Sequence, residues 1–134
     1  MVLQLANVSH MERLQALCLS HIQLSEPDIP PQLTALTKLE LYANGLDDLP
    51  DLSHFPNLVS VLVKRQSLSF QLRTPICLAA LPHLQCMLIS YGSMSYSSLR
   101  SQRATRKAIA KIRKQAQSLH RHLDIHRCDT FITC

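Results

Sequence analysis

Aliphatic residues fall on a fixed grid between residues 11 and 94. The clearest stretch is LTKLELYANGL, read as Leu36-x-x-Leu39-x-Leu41-x-x-Asn44-x-Leu46. Aligning the chain on Asn44 gives equivalent slots at Ile22, Asn44, Gln66 and Gly92, separated by 22, 22 and 26 residues. Three residues before each slot stand Leu19, Leu41, Val63 and Ile89; five before stand Leu17, Leu39, Val61 and Met87. Eight before stand Leu14, Leu36, Leu58 and Leu84; eleven before stand Met11, Leu33, Phe55 and Leu81; two after stand Leu24, Leu46, Leu68 and Met94. All twenty of the positions flanking the slots are apolar. The alternation within each unit predicts short strands near 16–20, 38–42, 60–64 and 86–90, with every second side chain buried. The apolar residues ahead of each strand, at intervals of three, predict 3₁₀ or helical back segments. No such unit buries its apolar edge alone, so the units stack, which predicts an α/β solenoid with a parallel sheet along one side.

From Ser97 the period changes. Ile109, Ile112, Ala116, Leu119 and Leu123 are spaced by 3, 4, 3 and 4 residues and share one face of a helix. Arg100, Arg103, Lys107, Lys111, Lys114 and Arg121 fall on the opposite face. Ser97 or Ser98 can cap its start. The chain therefore divides into a repeat region over 1–96, a basic amphipathic helix over 97–126 and a tail over 127–134.

The units resemble leucine-rich repeats. The closest stretch is Asn44-Gly-Leu46-Asp-Asp-Leu49-Pro-Asp-Leu52-Ser-His-Phe55-Pro-Asn-Leu58, and the spacing of 22 is similar to the short subclass found in a regulatory subunit of protein phosphatase 1 and an axonemal dynein light chain. The resemblance covers roughly residues 3–94. It implies a noncatalytic scaffold or regulatory subunit that binds a protein on the concave strand face. Asn44 is the one asparagine among the four slots; its side-chain amide can satisfy backbone groups exposed by the turn. Ile22, Gln66 and Gly92 depart from the pattern, which weakens the regularity of the outer turns. Leu5, Val8 and Met11 align with Leu49, Leu52 and Phe55, so the chain starts inside a unit, and no N-terminal cap is visible. The expectation is a fragment of a longer array, or an open end covered by a partner or a second copy. Insertions map to a loop around 69–75, and Pro27, Pro30 and Pro31 give the first back segment an extended path.

Between the buried positions of each strand, side chains face the concave surface. The rows are Ala16, Lys38, Ser60 and Cys86; Cys18, Glu40, Leu62 and Leu88; Ser20, Tyr42, Lys64 and Ser90; and His21, Ala43, Arg65 and Tyr91. Lys38, Glu40, Tyr42, Leu62, Lys64, Arg65, Leu88 and Tyr91 form the candidate partner-binding set, because aromatic and arginine side chains carry much interface energy. The competing reading is an ordinary solvated sheet face; burial of Leu62 and Leu88 against the C-terminal segment would move the balance between the two.

Charge separates the two regions. Residues 1–96 carry five Lys/Arg and seven Asp/Glu, a net of −2, whereas 97–134 carry nine and two, a net of +7. The cationic side chains Arg103, Lys107, Lys111 and Lys114 are the second candidate surface. The apolar face of that helix can dock on Leu84, Met87 and Met94 and cap the array. The helix can instead bind an acidic partner, an anionic membrane surface or a helix of another chain. Contact with nucleic-acid phosphates is the third reading, and the lack of interleaved aromatics and of a recognised motif argues against it.

Other chemistry finds little support. The N-terminus has no basic stretch of a secretory signal, and no segment is apolar enough for a membrane span. The five cysteines include no CxxC pair, which points to free thiols and a cytoplasmic location, with nuclear or cytoskeletal sites as alternatives. His122 and His126 have a metal-chelating spacing if both lie on a helix, but His120, His122, His126, Cys128 and Cys134 lack a second ligand pair, so surface histidines are the simpler reading. His10 and His54 occupy equivalent turn positions. Asp47, Asp48 and Asp51 lack EF-hand spacing. No hydrolase, phosphate-loop or dinucleotide motif occurs, so neither enzyme activity nor a cofactor or metal is expected.

Overall fold

A computed structural model describes residues 11–20, 29–42, 44–64, 72, 76–90 and 99–128. Four strands stand where the alternation places them: β1 (Ala16–Ser20), β2 (Lys38–Tyr42), β3 (Ser60–Lys64) and β4 (Cys86–Ser90). A 20-residue helix, α1 (Leu99–Ser118), and a fifth strand, β5 (Asp124–Cys128), follow. All five strands are parallel and lie in chain order across one sheet. The register matches the sequence spacing: Leu39 stands opposite Leu17 and Val61, and Val61 opposite Met87.

The register is set where each strand begins. The N–H groups of Thr37 and Lys38 both donate to the Gln15 carbonyl, at 2.7 and 3.0 Å. Val59 and Ser60 donate in the same way to Thr37, and Gln85 and Cys86 to Val59. Ahead of each strand a tight turn recurs. Leu14 donates to Met11, Leu36 to Leu33, Leu58 to Phe55 and Leu84 to Leu81, over 3.0–3.3 Å. Proline at 30 and 56 and the short i→i+3 bonds keep these segments too tight for an α-helix. The described back segment ahead of β4 contains a 3₁₀ turn at Leu78–Ala80.

The core lies between these turns and one face of the sheet. Leu39, Leu41, Val61, Val63, Met87 and Ile89 point inward and are at most 1% exposed, as are Leu36, Phe55, Leu58, Leu81 and Leu84 beneath them. Each such side chain contributes about 1.5–3 kcal/mol relative to an exposed one. Burial weakens at β1. Met11 is 43% exposed, and Leu14 and Leu17 are only partly covered, whereas their equivalents in the next units are buried completely. Residues 1–10 lie outside the described residues.

Asn44 performs the role its slot implies. It is 1% exposed, and its Nδ2 donates to the Leu19 carbonyl of the neighbouring strand at 3.0 Å. Gly45 follows with φ +72°, a left-handed conformation that glycine adopts freely. The equivalent slots Ile22, Gln66 and Gly92 lie outside the described residues.

The C-terminal region departs from the expected helix over 97–126. The helix ends at Ser118. His120 takes a left-handed conformation (φ 51°), the Arg121 N–H donates to the Ala116 carbonyl at 2.8 Å, and the His120 N–H donates to Gln117 at 3.1 Å. These are the two bonds of a Schellman motif, here closed by histidine in place of the usual glycine. Leu119 consequently leaves the apolar stripe and is 45% exposed. The chain then turns into β5, where Ile125 packs opposite Met87 with 7% exposure. His122 and His126 therefore do not share a helix, which removes the geometry of the i, i+4 metal reading. The cap at Ser97 or Ser98 lies outside the described residues.

Candidate functional site

Two surfaces hold the candidate side chains. The first is the open face of the sheet. Lys38, Glu40 and Tyr42 alternate with the buried leucines of β2, and Leu62 and Lys64 alternate with the valines of β3. Register sets Glu40 beside Cys18 and Leu62, and Tyr42 beside Ser20 and Lys64. Glu40, Tyr42, Leu62 and Lys64 are half-buried and Lys38 is exposed, so a charged, aromatic and aliphatic mixture reaches solvent together.

Glu40 is the electrostatic hub of this face. Lys38 Nζ lies 2.9 Å from Glu40 Oε1. That hydrogen bond holds the Glu40 carboxyl below the ordinary range against the opposing effect of partial burial, with Cys18 and the charges of Lys38 and Lys64 also favouring the anion. The same bond raises Lys38. Partial burial, followed by the Glu40 hydrogen bond and charge, pushes the Cys18 thiol up, so Cys18 is held as a neutral thiol beside the carboxylate rather than activated as a nucleophile. The link between Cys18 and Glu40 was not singled out in the sequence, although their equivalent positions in adjacent units imply it.

Leu88 does not belong to this surface. It was expected on the concave face, but it is fully buried. In register it stands between Leu62 on β3 and His126 on β5, in the interior of the sheet instead of at its end. Arg65 and Tyr91, the remaining members of the expected set, lie outside the described residues, as do His21 and Ala43.

The second surface is the outer side of α1. The helix carries seven Lys/Arg and no acidic residue. Arg103, Arg106, Lys107, Lys111 and Lys114 are all exposed, and none has a carboxylate partner among the described residues. The inner side is committed to the core. Ile109 is 4% exposed, Ile112 2% and Ala116 6%, and all belong to the cluster that includes Leu78, Leu81 and Met87.

Polar side chains fasten the helix to the preceding segment. Gln115 Nε2 donates to the Ile76 carbonyl at 2.9 Å, while its Oε1 accepts from the Leu78 N–H at 3.0 Å. One amide thus pairs the C=O and the N–H on one edge of a short extended segment, as a neighbouring strand would. The buried Thr105 Oγ1 accepts from the Leu72 N–H at 3.4 Å. Arg121 was expected on the solvent face. Because the helix stops before it, its guanidinium turns inward and donates to the carbonyls of Leu78, Leu81 and Leu84 at 2.7, 2.6 and 3.1 Å. Arg113 donates to the Ile125 carbonyl of β5 at 3.2 Å. Gln115 and Arg121 carry no motif in the sequence, and Arg121 has no signal there because the helix end before it is unmarked.

Further chemistry is sparse. Among the described residues, no group of three His, Cys, Asp or Glu side chains could hold a metal ion. A small cleft of about 40 Å³ lies between Pro50–Ser53 and Ile76, Cys77 and Leu81. It has room for about one water molecule. Among the described residues no helix is long and apolar enough to cross a membrane. No known family model, curated protein or solved structure matches this chain.

Proposed function

We propose that this chain is a noncatalytic protein-binding module of the leucine-rich-repeat type, a scaffold or regulatory subunit that receives a protein on the open face of its sheet. The observation that carries the reading is the cluster of Lys38, Glu40, Tyr42, Leu62 and Lys64 on two adjacent strands, with their side chains at the surface and their backbone held rigid by a buried core. A rigid strand platform presents side chains without the ordering cost of a loop, and an aromatic beside an aliphatic with charges around them is the usual anatomy of a protein interface. The repeat reading is supported by the turn that recurs ahead of β1, β2, β3 and β4 and by strand registers that follow the 22, 22 and 26 spacing. Leu88 falls out of the contact set.

The test is an affinity capture from cell extract with quantitative mass spectrometry. It compares the wild-type chain with a Tyr42→Ala/Lys64→Glu variant of matched helical and sheet content. Proteins specific to the wild type should be lost from the variant. Identical recovery by both would sink the reading.

A further inference from the structure

The cationic side of α1 stands apart from the open face, because the helix packs on the core side of the sheet. Two of the roles open to a free amphipathic helix are closed by this packing. A helix that inserts its apolar face into a membrane or into a partner's groove needs that face available. Here Ile109, Ile112 and Ala116 are spent in the core. What remains is a surface of charge alone. Between its cations stand Ala110 and Gln117, and Met11 and Leu119 are the only exposed large apolar side chains among the described residues. A protein interface usually has an apolar or aromatic centre inside its polar rim, and among the described residues this side has none.

The arrangement of the cations is itself informative. From Arg103 to Lys114 they extend about 16 Å along the axis. At 100° per residue Arg103, Lys107 and Lys114 form a central line, and Arg106 and Lys111 flank it, so the five spread over about 140° of the helix circumference. A flat layer of lipid headgroups meets the central line and leaves the flanks pointing along the surface. A groove walled by anions on both sides meets all five. The major groove of B-form DNA is about 12 Å wide, which admits a helix, and a phosphate backbone lines each of its walls. Aromatic side chains serve single strands by stacking on bases; duplex phosphates do not need them. The like charges also lower the stability of the helix, since Arg103, Lys107 and Lys111 repeat at i, i+4 with no intervening acid.

We propose that the outer side of α1 binds double-stranded DNA without sequence preference, through phosphates on both sides of the major groove. The test is fluorescence anisotropy of the full chain with a labelled 20-bp duplex of mixed sequence. If about four phosphates are neutralised, affinity falls roughly 100-fold between 50 and 200 mM salt. The Arg103→Gln/Lys107→Gln/Lys111→Gln/Lys114→Gln variant, with wild-type circular dichroism, should lose most of the binding and of its salt dependence. Lys107→Arg/Lys111→Arg/Lys114→Arg should retain both. Amide NMR shifts on adding duplex should fall within 103–114. The proposal is overturned by no binding at 50 mM salt, by equal binding of the glutamine variant, or by shifts centred on the open sheet face. It is also overturned if an RNA duplex, anionic vesicles or polyglutamate bind as tightly as DNA, because their surfaces lack the accessible groove. None of these outcomes touches the protein-capture test of the open face.

Discussion

Replacing Ile112 by alanine tests whether α1 is an integral part of the fold. Ile112 is 2% exposed and shares a cluster with Leu78, Leu81, Met87 and Ile125. Truncating a buried isoleucine costs about 2–5 kcal/mol, and a site at the end of a core can relax partly, which points to about 3 kcal/mol. Helices in proteins owe most of their stability to tertiary packing of the apolar face, and this one carries repelling cations without compensating acids. For 134 residues the unfolding entropy is about 0.3 kcal/mol/K, so the loss converts to a fall of about 10 °C in Tm. Urea unfolding followed by far-UV circular dichroism measures it, with Lys111→Ala as the exposed neighbour expected to change stability by less than about 0.5 kcal/mol. If Ile112→Ala proved as mild as Lys111→Ala, the docking of α1 into the core would be refuted.

Asn44→Ala should cost about 1–3 kcal/mol in urea unfolding, because it leaves the buried Leu19 carbonyl without its Nδ2 donor; a change within error would refute the role of that bond. Lys107→Glu should raise Tm, by about 0.5–1 kcal/mol of added stability, since it converts two like-charge i, i+4 contacts into attractive ones; a lower Tm would contradict the exposure of that side. Glu40 has a folded pKa below its unfolded value. Its contribution is therefore present above the unfolded value and is lost as the pH falls through the depressed one. The pair is exposed enough for solvent to screen it, so the effect on stability is small. Carboxyl NMR should show Glu40 titrating low and moving up in Lys38→Met, and an unmoved titration would exclude Lys38 as the cause.

The four strands legible in the sequence were those whose apolar positions recur in one aligned pattern. Leu39 and Leu41 alternate with Lys38, Glu40 and Tyr42, Val61 and Val63 lie between Ser60 and Lys64, and the pattern returns at near-constant spacing. The fifth strand was hidden for two reasons. Its segment, Asp124–Cys128, contributes Ile125 to the core but few of the β-branched residues that mark a strand. Leu119 and Leu123 also continue the helical period past the helix end, up to the strand, by coincidence. Nothing in SLHRHL announces the end of a helix, since the left-handed position that glycine usually takes is held by His120. The candidate surfaces divide along the same line. Arg103, Lys107, Lys111 and Lys114 lie in the helix proper and are exposed as expected, whereas Arg121 lies beyond its end and Leu88 beside the unseen strand. Both were misplaced by one boundary.

Strand β5 also has a protective consequence. Its partner, β4, reads CMLIS, a short run with high β propensity and no charge. Such a run, left as the last strand of a parallel sheet, offers unpaired N–H and C=O groups to any similar strand, and this is the template from which sheets grow between molecules. Asp124–Cys128 covers that template with a segment bearing Asp124 and Arg127, and the Arg113 bond to Ile125 ties it to the helix that delivers it. A chain that stopped before Leu99 would lose the strand and the helix together. It would expose the β4 backbone, and its characteristic failure would be self-association through the sheet edge rather than simple loss of a terminal helix.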